Sequence, residues 1–234
     1  MHAARRCLQM CALGLCLIST AASLFGASQR IDGNLVIVPA SKLPPEARVQ
    51  GDAMALHQVD LETLYLYIEQ EHGRKLAVFD VRNPGKIRFK KLVPLNVPGP
   101  FDFVSLVAPN SMLIRFRDGS GDAILDLRKP KDPKVRGLSE RPIETYIIPV
   151  SWDPWITQKR DSQRERPPTD YQVVTSKDLR PIATIRSVIQ KVNDLGNQTT
   201  YLLGAEGLTV IRNMGGERKL AQQAPRWTNT IDDY

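Results

Sequence analysis

The chain has 234 residues, of which 42% are hydrophobic and 24% are charged. A chain of this size and composition buries enough apolar surface to fold without metals or disulfides, which excludes a wholly disordered protein. Its 32 Lys and Arg residues exceed its 25 Asp and Glu residues, and the formal net charge of +7 favours anionic partners. The basic residues are not clustered as densely as in a nucleic-acid-binding protein, so we expect no nucleic-acid partner.

Residues 1–28 have the order of a secretory signal peptide. Arg5 and Arg6 form a basic start, an apolar run covers residues 10–18, and small residues offer cleavage sites after Ala22 or Ser28. The alternative is a retained membrane anchor, because the uncharged stretch is just long enough to span a bilayer. We expect cleavage, which makes residues 29–234 an exported domain, periplasmic or extracellular, with no transmembrane helix.

All three cysteines, Cys7, Cys11 and Cys16, lie inside this signal segment. The chain after residue 28 therefore has no disulfide, no thiol nucleophile and no thiolate metal ligand. Export without disulfides is typical of a bacterial envelope protein.

The exported part contains five similar stretches, each a short β-branched run followed by a polar turn and a second apolar run. Successive copies are separated by 42, 46, 48 and 36 residues when they are aligned on Val38, Asp80, Asp126, Val174 and Val210. A period in the forties with several short strands in each period is typical of β-propeller blades.

Strand-length β-rich runs fill the intervals between these copies. They cover residues 64–68, 101–107, 112–117, 145–148 and 200–203. Residues 118–121, Asp-Gly-Ser-Gly, predict a tight turn between two of the runs. The best helix candidate, residues 187–194, is short and lacks clear caps. The pattern predicts an all-β fold.

The repeated unit resembles the LVIVD repeat of bacterial and archaeal surface proteins. Residues 35–38 read Leu-Val-Ile-Val, and the closest copy runs from Asp126 through Pro130 to Pro133. The resemblance extends over about residues 34–220 and implies an exported β-propeller, while it implies no particular activity. We expect about five blades, with the first blade completed by strands from the C-terminal end. The first and fourth copies depart from the pattern, since valine replaces the aspartate, and Val210 does so in the fifth copy.

The repeated acids, Asp80 and Asp126, have two interpretations. One is a ring of carboxylates that binds a cation, and the other is a set of aspartates that cap the turn after each strand. We favour the capping role because only two of the five copies keep the acid. The residues that we assign to these structural repeat turns are Asp80, Pro84, Asp126, Pro130, Pro133 and Pro181.

No catalytic motif stands out. The sequence has no Gly-x-Ser-x-Gly elbow, no phosphate-binding loop and no dinucleotide fingerprint. His57 and His72 lack ligand spacing, and Glu69-Gln-Glu-His72 is interpreted as the end of a strand and a hairpin turn rather than as a metal site. We therefore predict no cofactor, no metal and no catalytic residues. An envelope hydrolase or lyase with a site in the central channel is the enzymatic alternative.

Basic residues alternate with apolar ones in two of the predicted strands. Lys86, Arg88 and Lys90 are predicted to share one face, and Arg115 and Arg117 repeat the pattern. This arrangement favours a solvated face that protects a strand edge. The alternative is a strip that binds an anionic polymer.

The predicted binding site is the loop at residues 151–170, which is too long for an ordinary connection. Exposed aromatic rings beside arginines suit a protein, a peptide, or an anionic envelope glycan or lipid headgroup. The alternative is that the rings plug the end of a blade. The predicted binding residues are Trp152, Trp155, Arg160, Arg164 and Arg166. The leading hypothesis is a non-catalytic binding scaffold, and a further alternative is a structural surface protein held by an uncleaved anchor.

Overall fold

The computed structural model describes residues 29–31, 34–139, 167–174 and 181–215. The predicted signal segment and the predicted strand at residues 145–148 lie outside these ranges. So do the five residues of the predicted binding site, which are Trp152, Trp155, Arg160, Arg164 and Arg166.

The described chain is all-β, as the sequence predicts, and its strands form three antiparallel sheets. Two strands, β1 (Gln29–Ile31) and β2 (Leu35–Val38), precede two short 3₁₀ helices at Ala40–Lys42 and Pro45–Arg48. The first sheet then follows in chain order. Its strands are β3 (Gly51–Asp60), β4 (Thr63–Gln70), β5 (Lys75–Asp80) and β6 (Arg88–Pro94).

The second sheet has the same up-and-down order as the first. Its strands are β7 (Phe101–Ala108), β8 (Ser111–Phe116), β9 (Asp122–Asp126) and β10 (Lys134–Ser139). The third sheet adds β11 (Thr169–Val174), β12 (Pro181–Asp194), β13 (Thr199–Gly204) and β14 (Gly207–Asn213), and its spatial order is β1-β2-β14-β13-β12-β11.

The first sheet is buried on both faces, which explains why β4 and β5 are apolar almost without interruption. Tyr65, Tyr67 and Val78 point to one side, where they join a cluster with the second sheet. Leu66 and Phe79 point to the other side and join a cluster with the third sheet. The three sheets are therefore stacked face to face, with the first sheet in the middle.

The three sheets contain one common four-stranded unit. Asp80 of β5 pairs with Arg88 of β6, and Asp126 of β9 pairs with Lys134 of β10, eight residues further along the chain in both cases. In the third sheet the matching partner comes from the start of the chain, since Val210 of β14 pairs with Val38 of β2. A strand from the start of the repeat region thus pairs with a strand from its end.

The sequence repeats do not all occupy equivalent places in this unit. The copies aligned on Asp80, Asp126 and Val210 lie on β5, β9 and β14, each of which is the third strand of its four-stranded unit. Val38 lies instead on β2, the fourth strand of the unit in the third sheet, and Val174 ends β11 at the edge opposite β1. The count of about five blades is not confirmed by the described residues, which form three sheets.

Four of the predicted strands and one predicted turn are observed. Four of the predicted runs fall on β4, β7, β8 and β13, and the turn at residues 118–121 joins β8 to β9. The helix candidate at residues 187–194 is wrong, because these residues belong to the long strand β12. Its β-branched residues and missing caps favour a strand. Within the described part of the chain, no helix has the length and apolar character needed to cross a membrane.

Candidate functional site

The repeated aspartates organise the turn that follows the third strand of each unit. Asp126 Oδ1 accepts a hydrogen bond from the backbone N–H of Arg128 at 3.0 Å, and its carboxylate also accepts the Arg128 guanidinium at 2.7 Å. Arg136 of β10 approaches the same carboxylate at 2.7 Å. These contacts, with Arg128 contributing most, lower the pKa of Asp126 to about 2. The carboxylate is thus occupied by the protein's own cations.

The first sheet repeats this arrangement with different distances. Asp80 lies 3.6 Å from the guanidinium Nε of Arg82 and 3.1 Å from Lys90 Nζ. The two cations follow the aspartate by two and ten residues, as Arg128 and Arg136 follow Asp126. The aspartates therefore anchor basic side chains at equivalent positions of neighbouring sheets, and we assign them this structural role.

The turns and outermost strands of these two units form the basic surface. It comprises residues 80–91 and 126–136, which hold ten basic and three acidic residues. The chain after residue 28 has 30 basic and 25 acidic residues in total, so its excess positive charge is concentrated here. The cations of the basic surface are Arg82, Lys86, Arg88, Lys90, Lys91, Arg128, Lys129, Lys131, Lys134 and Arg136.

Most of these cations project into solvent. The side chains of Arg82 and Arg128 are 52% and 61% exposed although each faces an aspartate. Lys86, Arg88 and Lys129 are exposed as well. An exposed cation beside a carboxylate loses little hydration and remains able to contact an anionic ligand.

A groove crosses the basic surface between β6 and β10. Its volume is about 580 Å³, which lies in the range of ligand-binding sites. Val93 and Pro133 contribute buried apolar surface, and Lys91 and Lys134 add exposed cations. Lys91 Nζ lies 2.7 Å from Asp132 Oδ1, so an ion pair joins the first sheet to the second across this groove.

The third sheet adds a cation to the same region. The guanidinium of Arg212, on β14, lies against the backbone of Gly85 in the turn of the first sheet. Arg212 follows Val210 by two residues, as Arg82 and Arg128 follow Asp80 and Asp126, but it lies within its strand rather than in the turn after it. The third sheet thus contributes an arginine beside the turn of the first sheet.

The predicted alternation of basic residues is only partly observed. Ile87 is buried and Lys86 and Arg88 are exposed, as expected. The register of β6 shifts between Phe89 and Lys91, however, because Lys90 is an extra residue in the pairing with β5. The bulge turns Lys90 towards Asp80 and leaves Lys91 to reach the second sheet.

Arg115 and Arg117, the second predicted pair of alternating basic residues, each bind an aspartate. Arg115 donates two hydrogen bonds, of 2.7 and 2.8 Å, to the fully buried carboxylate of Asp122. Arg117 donates to Asp102 at 2.7 Å and to the backbone carbonyl of Asp52. These arginines hold strands together, and we do not include them in the basic surface.

The first sheet holds a fully buried histidine and a fully buried glutamate, which would have to lie close together to form an enzymatic acid–base site. His57 and Glu69 are fully buried. In the β3–β4 pairing His57 lies opposite Tyr65, and Glu69 lies four residues further along β4, a separation of about 13 Å. Burial lowers the pKa of His57 to about 4, so its imidazole is neutral. The two side chains do not form one acid–base site.

The segment from Glu69 to Lys75 ends β4 and forms the turn to β5. A hairpin turn does join β4 to β5 here, as expected. β4 ends at Gln70, and Glu71 enters the turn with φ of +53°. Among the described residues, no group of three or more His, Cys, Asp or Glu side chains is placed to hold a metal ion.

The prolines assigned to the repeat turns have distinct surroundings. Pro84 and Pro133 are buried in the turns that lead to β6 and β10. The backbone carbonyl of Pro130 accepts a 2.9 Å hydrogen bond from the Tyr67 hydroxyl and so joins the second sheet to the first. Pro181 is the first residue of β12 and pairs with Val174, a position that tolerates the missing N–H.

Sequence reasoning did not identify the basic surface as a unit or Glu69 as a buried acid. The repeated Asp-x-Arg was visible, but only strand pairing shows that a cation ten residues further returns to the same carboxylate. A glutamate at the end of an apolar run resembles a solvated strand end.

Comparisons of the chain with protein-family models, with curated proteins and with solved structures found no match. The resemblance to LVIVD repeats therefore stays a prediction.

Proposed function

We propose that the chain is an exported, non-catalytic β-propeller that serves as a binding scaffold in the bacterial cell envelope, and that the basic surface binds an anionic polymer. The propeller is supported by similar four-stranded units that are stacked face to face. It is further supported by β2, which pairs with β14 and so links the ends of the repeat region. Pairing of this kind removes an exposed sheet edge.

The observation that carries the binding role is the repetition of cations on neighbouring sheets. Stacked sheets lie about 10 Å apart, so equivalent arginines recur at that spacing. A polymer with regularly placed negative charges contacts several of these cations at once, and each further contact raises the overall affinity. Envelope polysaccharides with carboxylate or phosphate groups have this chemistry, and the groove between β6 and β10 offers an apolar contact for one repeating unit.

Charge reversal on the basic surface tests this proposal. We expect the double variants Lys86→Glu/Arg88→Glu and Lys129→Glu/Lys131→Glu each to weaken binding of a polygalacturonate fragment by about tenfold or more, because exposed charge pairs contribute up to about 1 kcal/mol each. Isothermal titration calorimetry at low and high salt measures the effect, and the affinity of the wild type should fall as salt screens the charges.

The matched control is Lys42→Glu/Arg186→Glu, which makes the same charge change at two exposed residues outside the basic surface. It should bind as the wild type does. Equal weakening in the control and the test variants would contradict a defined binding surface. Binding to phosphatidylglycerol vesicles in place of the glycan would identify a lipid headgroup as the anionic partner.

The predicted loop is tested in the same assay. If Trp152 and Trp155 form part of the ligand site, the double variant Trp152→Ala/Trp155→Ala should bind the polymer at least tenfold more weakly, because large aromatic side chains dominate the energy of such contacts. Unchanged binding by this variant, with weakened binding by the charge-reversal variants, would restrict the site to the basic surface.

A further inference from the structure

A buried carboxyl group lies at the junction of the first and second sheets without a matched partner. Glu69 is 0% exposed, and neither of its side-chain oxygens has a hydrogen bond of good geometry among the described residues. The backbone N–H of Gly73 is near enough to favour its ionised form weakly. An ionised carboxylate in this position lacks both water and the two or three donors that normally replace water.

The charged groups around Glu69 come from every strand that packs against it. Asp52 lies on β3 and Asp102 on β7, and both repel a negative charge on Glu69. Arg117, which follows β8, is the nearest cation. The β4–β5 turn adds Glu71, which pairs with Lys75 at 2.6 Å, and His72, which lies 3.2 Å from Asp52.

Arg117 has other contacts that limit its ability to neutralise Glu69. Its guanidinium donates two hydrogen bonds to Asp102, of 3.1 and 2.7 Å, and another to the backbone carbonyl of Asp52. These bonds connect the second sheet to the first. If Glu69 ionises, either Arg117 moves towards it and leaves Asp102, or water enters between the sheets. Both responses change the same junction.

Burial is the main cause of the altered acidity of this group. It raises the pKa of Glu69 to about 8, with Asp52 and Asp102 also raising it and with Arg117 and the Gly73 N–H opposing the shift. The carboxyl group is therefore mostly protonated at neutral pH in the folded protein. In the unfolded chain the same group ionises near its ordinary value of 4.5.

We propose that Glu69 is a protonation switch, whose neutral form allows the first and second sheets to pack and whose ionisation loosens their junction. The proposal does not depend on what the basic surface binds. An exported domain experiences the pH of its surroundings, so a group that titrates near neutrality couples the packing of these sheets to external conditions.

The direction of the pH effect follows from proton linkage. The folded state keeps the Glu69 proton up to about pH 8, whereas the unfolded state releases it near pH 4.5, so folding stability from this group is complete below pH 4.5. It decreases as the pH rises, and it is lost above about pH 8. The unfolding equilibrium should shift towards the unfolded state by up to tenfold for each pH unit in this window.

The test compares Glu69→Gln with Glu71→Gln in denaturant unfolding experiments from pH 5 to pH 9. Glutamine has nearly the shape of neutral glutamic acid and does not ionise, so Glu69→Gln should lose most of the pH dependence and exceed the wild type in stability at pH 9. Glu71 has a side chain 40% exposed, and its variant should keep the pH dependence. A wild-type pH slope in Glu69→Gln would overturn the proposal.

Two measurements on the wild type keep the proposal testable if Glu69→Gln does not fold. The first is NMR titration of the Glu69 carboxyl carbon, where a pKa near 4.5 would overturn the proposal. The second is amide hydrogen exchange, corrected for its intrinsic pH dependence, at pH 6.5 and pH 9. Protection should fall more in β4 and β7 than in β13 and β14, and a uniform fall would overturn the assignment to this junction.

Discussion

Replacing Phe79 with alanine should lower the free energy of unfolding by about 3–5 kcal/mol. Phe79 is fully buried in the cluster between the first and third sheets, and its ring lies 5.7 Å from that of Phe89. Removing the ring leaves a cavity that the sheet backbones on both sides cannot fill. Phe101→Ala should cost a similar amount, because Phe101 is fully buried in the other cluster, between the first and second sheets.

The two variants together test whether the stacked sheets form one cooperative unit. Unfolding in denaturant, followed by far-UV circular dichroism, should show one transition in each variant, shifted to lower denaturant concentration. Leu61→Ala is the control, since the Leu61 side chain is 97% exposed, and it should change stability by less than about 0.5 kcal/mol. Two separate transitions, with only one of them moved by each variant, would show that the sheets unfold independently.

The fold class was predictable because it depends on local sequence patterns. Apolar runs such as residues 64–68 and 200–203 have strand length and β-branched or aromatic composition, and they form β4 and β13. Turn residues between the runs, such as Gly119, are likewise recognised from the nearby sequence. The long strand β12 was not predicted, because Ser187 adopts φ of +53° within it and its register shifts between Val188 and Gln190. Such irregularities depend on the neighbouring strands.

The candidate site was less predictable because its parts are distant along the chain. The Asp-x-Arg repeat is visible in sequence, but Arg212 contacts the turn at Gly85 only after the third sheet has packed on the first. Ion pairing across sheets, such as Lys91 with Asp132, depends in addition on the bulge at Lys90. Similarly, the burial of Glu69 follows from the position of Arg117 and the second sheet, which no local pattern specifies.

The turn between β4 and β5 has a conformation that its residues adopt at some cost. Glu71, His72 and Gly73 have φ values of +53°, +55° and +89°, so three successive residues are left-handed. Glycine adopts this region freely, whereas other residues lose about 1–2 kcal/mol there. The turn is held by the backbone hydrogen bond from Arg74 N–H to the Glu71 carbonyl and by the Glu71–Lys75 ion pair. Gly73 lies against Gly99, in the connection from β6 of the first sheet to β7 of the second sheet.

We expect Gly73→Ala to be among the most destabilising single changes in the chain, with a loss of about 3–5 kcal/mol. A Cβ atom at this position would overlap the Gly99 carbonyl oxygen and lie 2.7 Å from its carbon, and both are backbone atoms that cannot rotate away. The left-handed φ adds its own penalty. Gly119→Ala separates the two causes, because Gly119 has φ of +77° but nothing within 4 Å of the added atom. It should lose only about 1–2 kcal/mol. Denaturant unfolding of both variants measures the difference, and equal losses would mean that backbone strain alone, rather than contact between the turn and residues 99–100, makes glycine necessary at position 73.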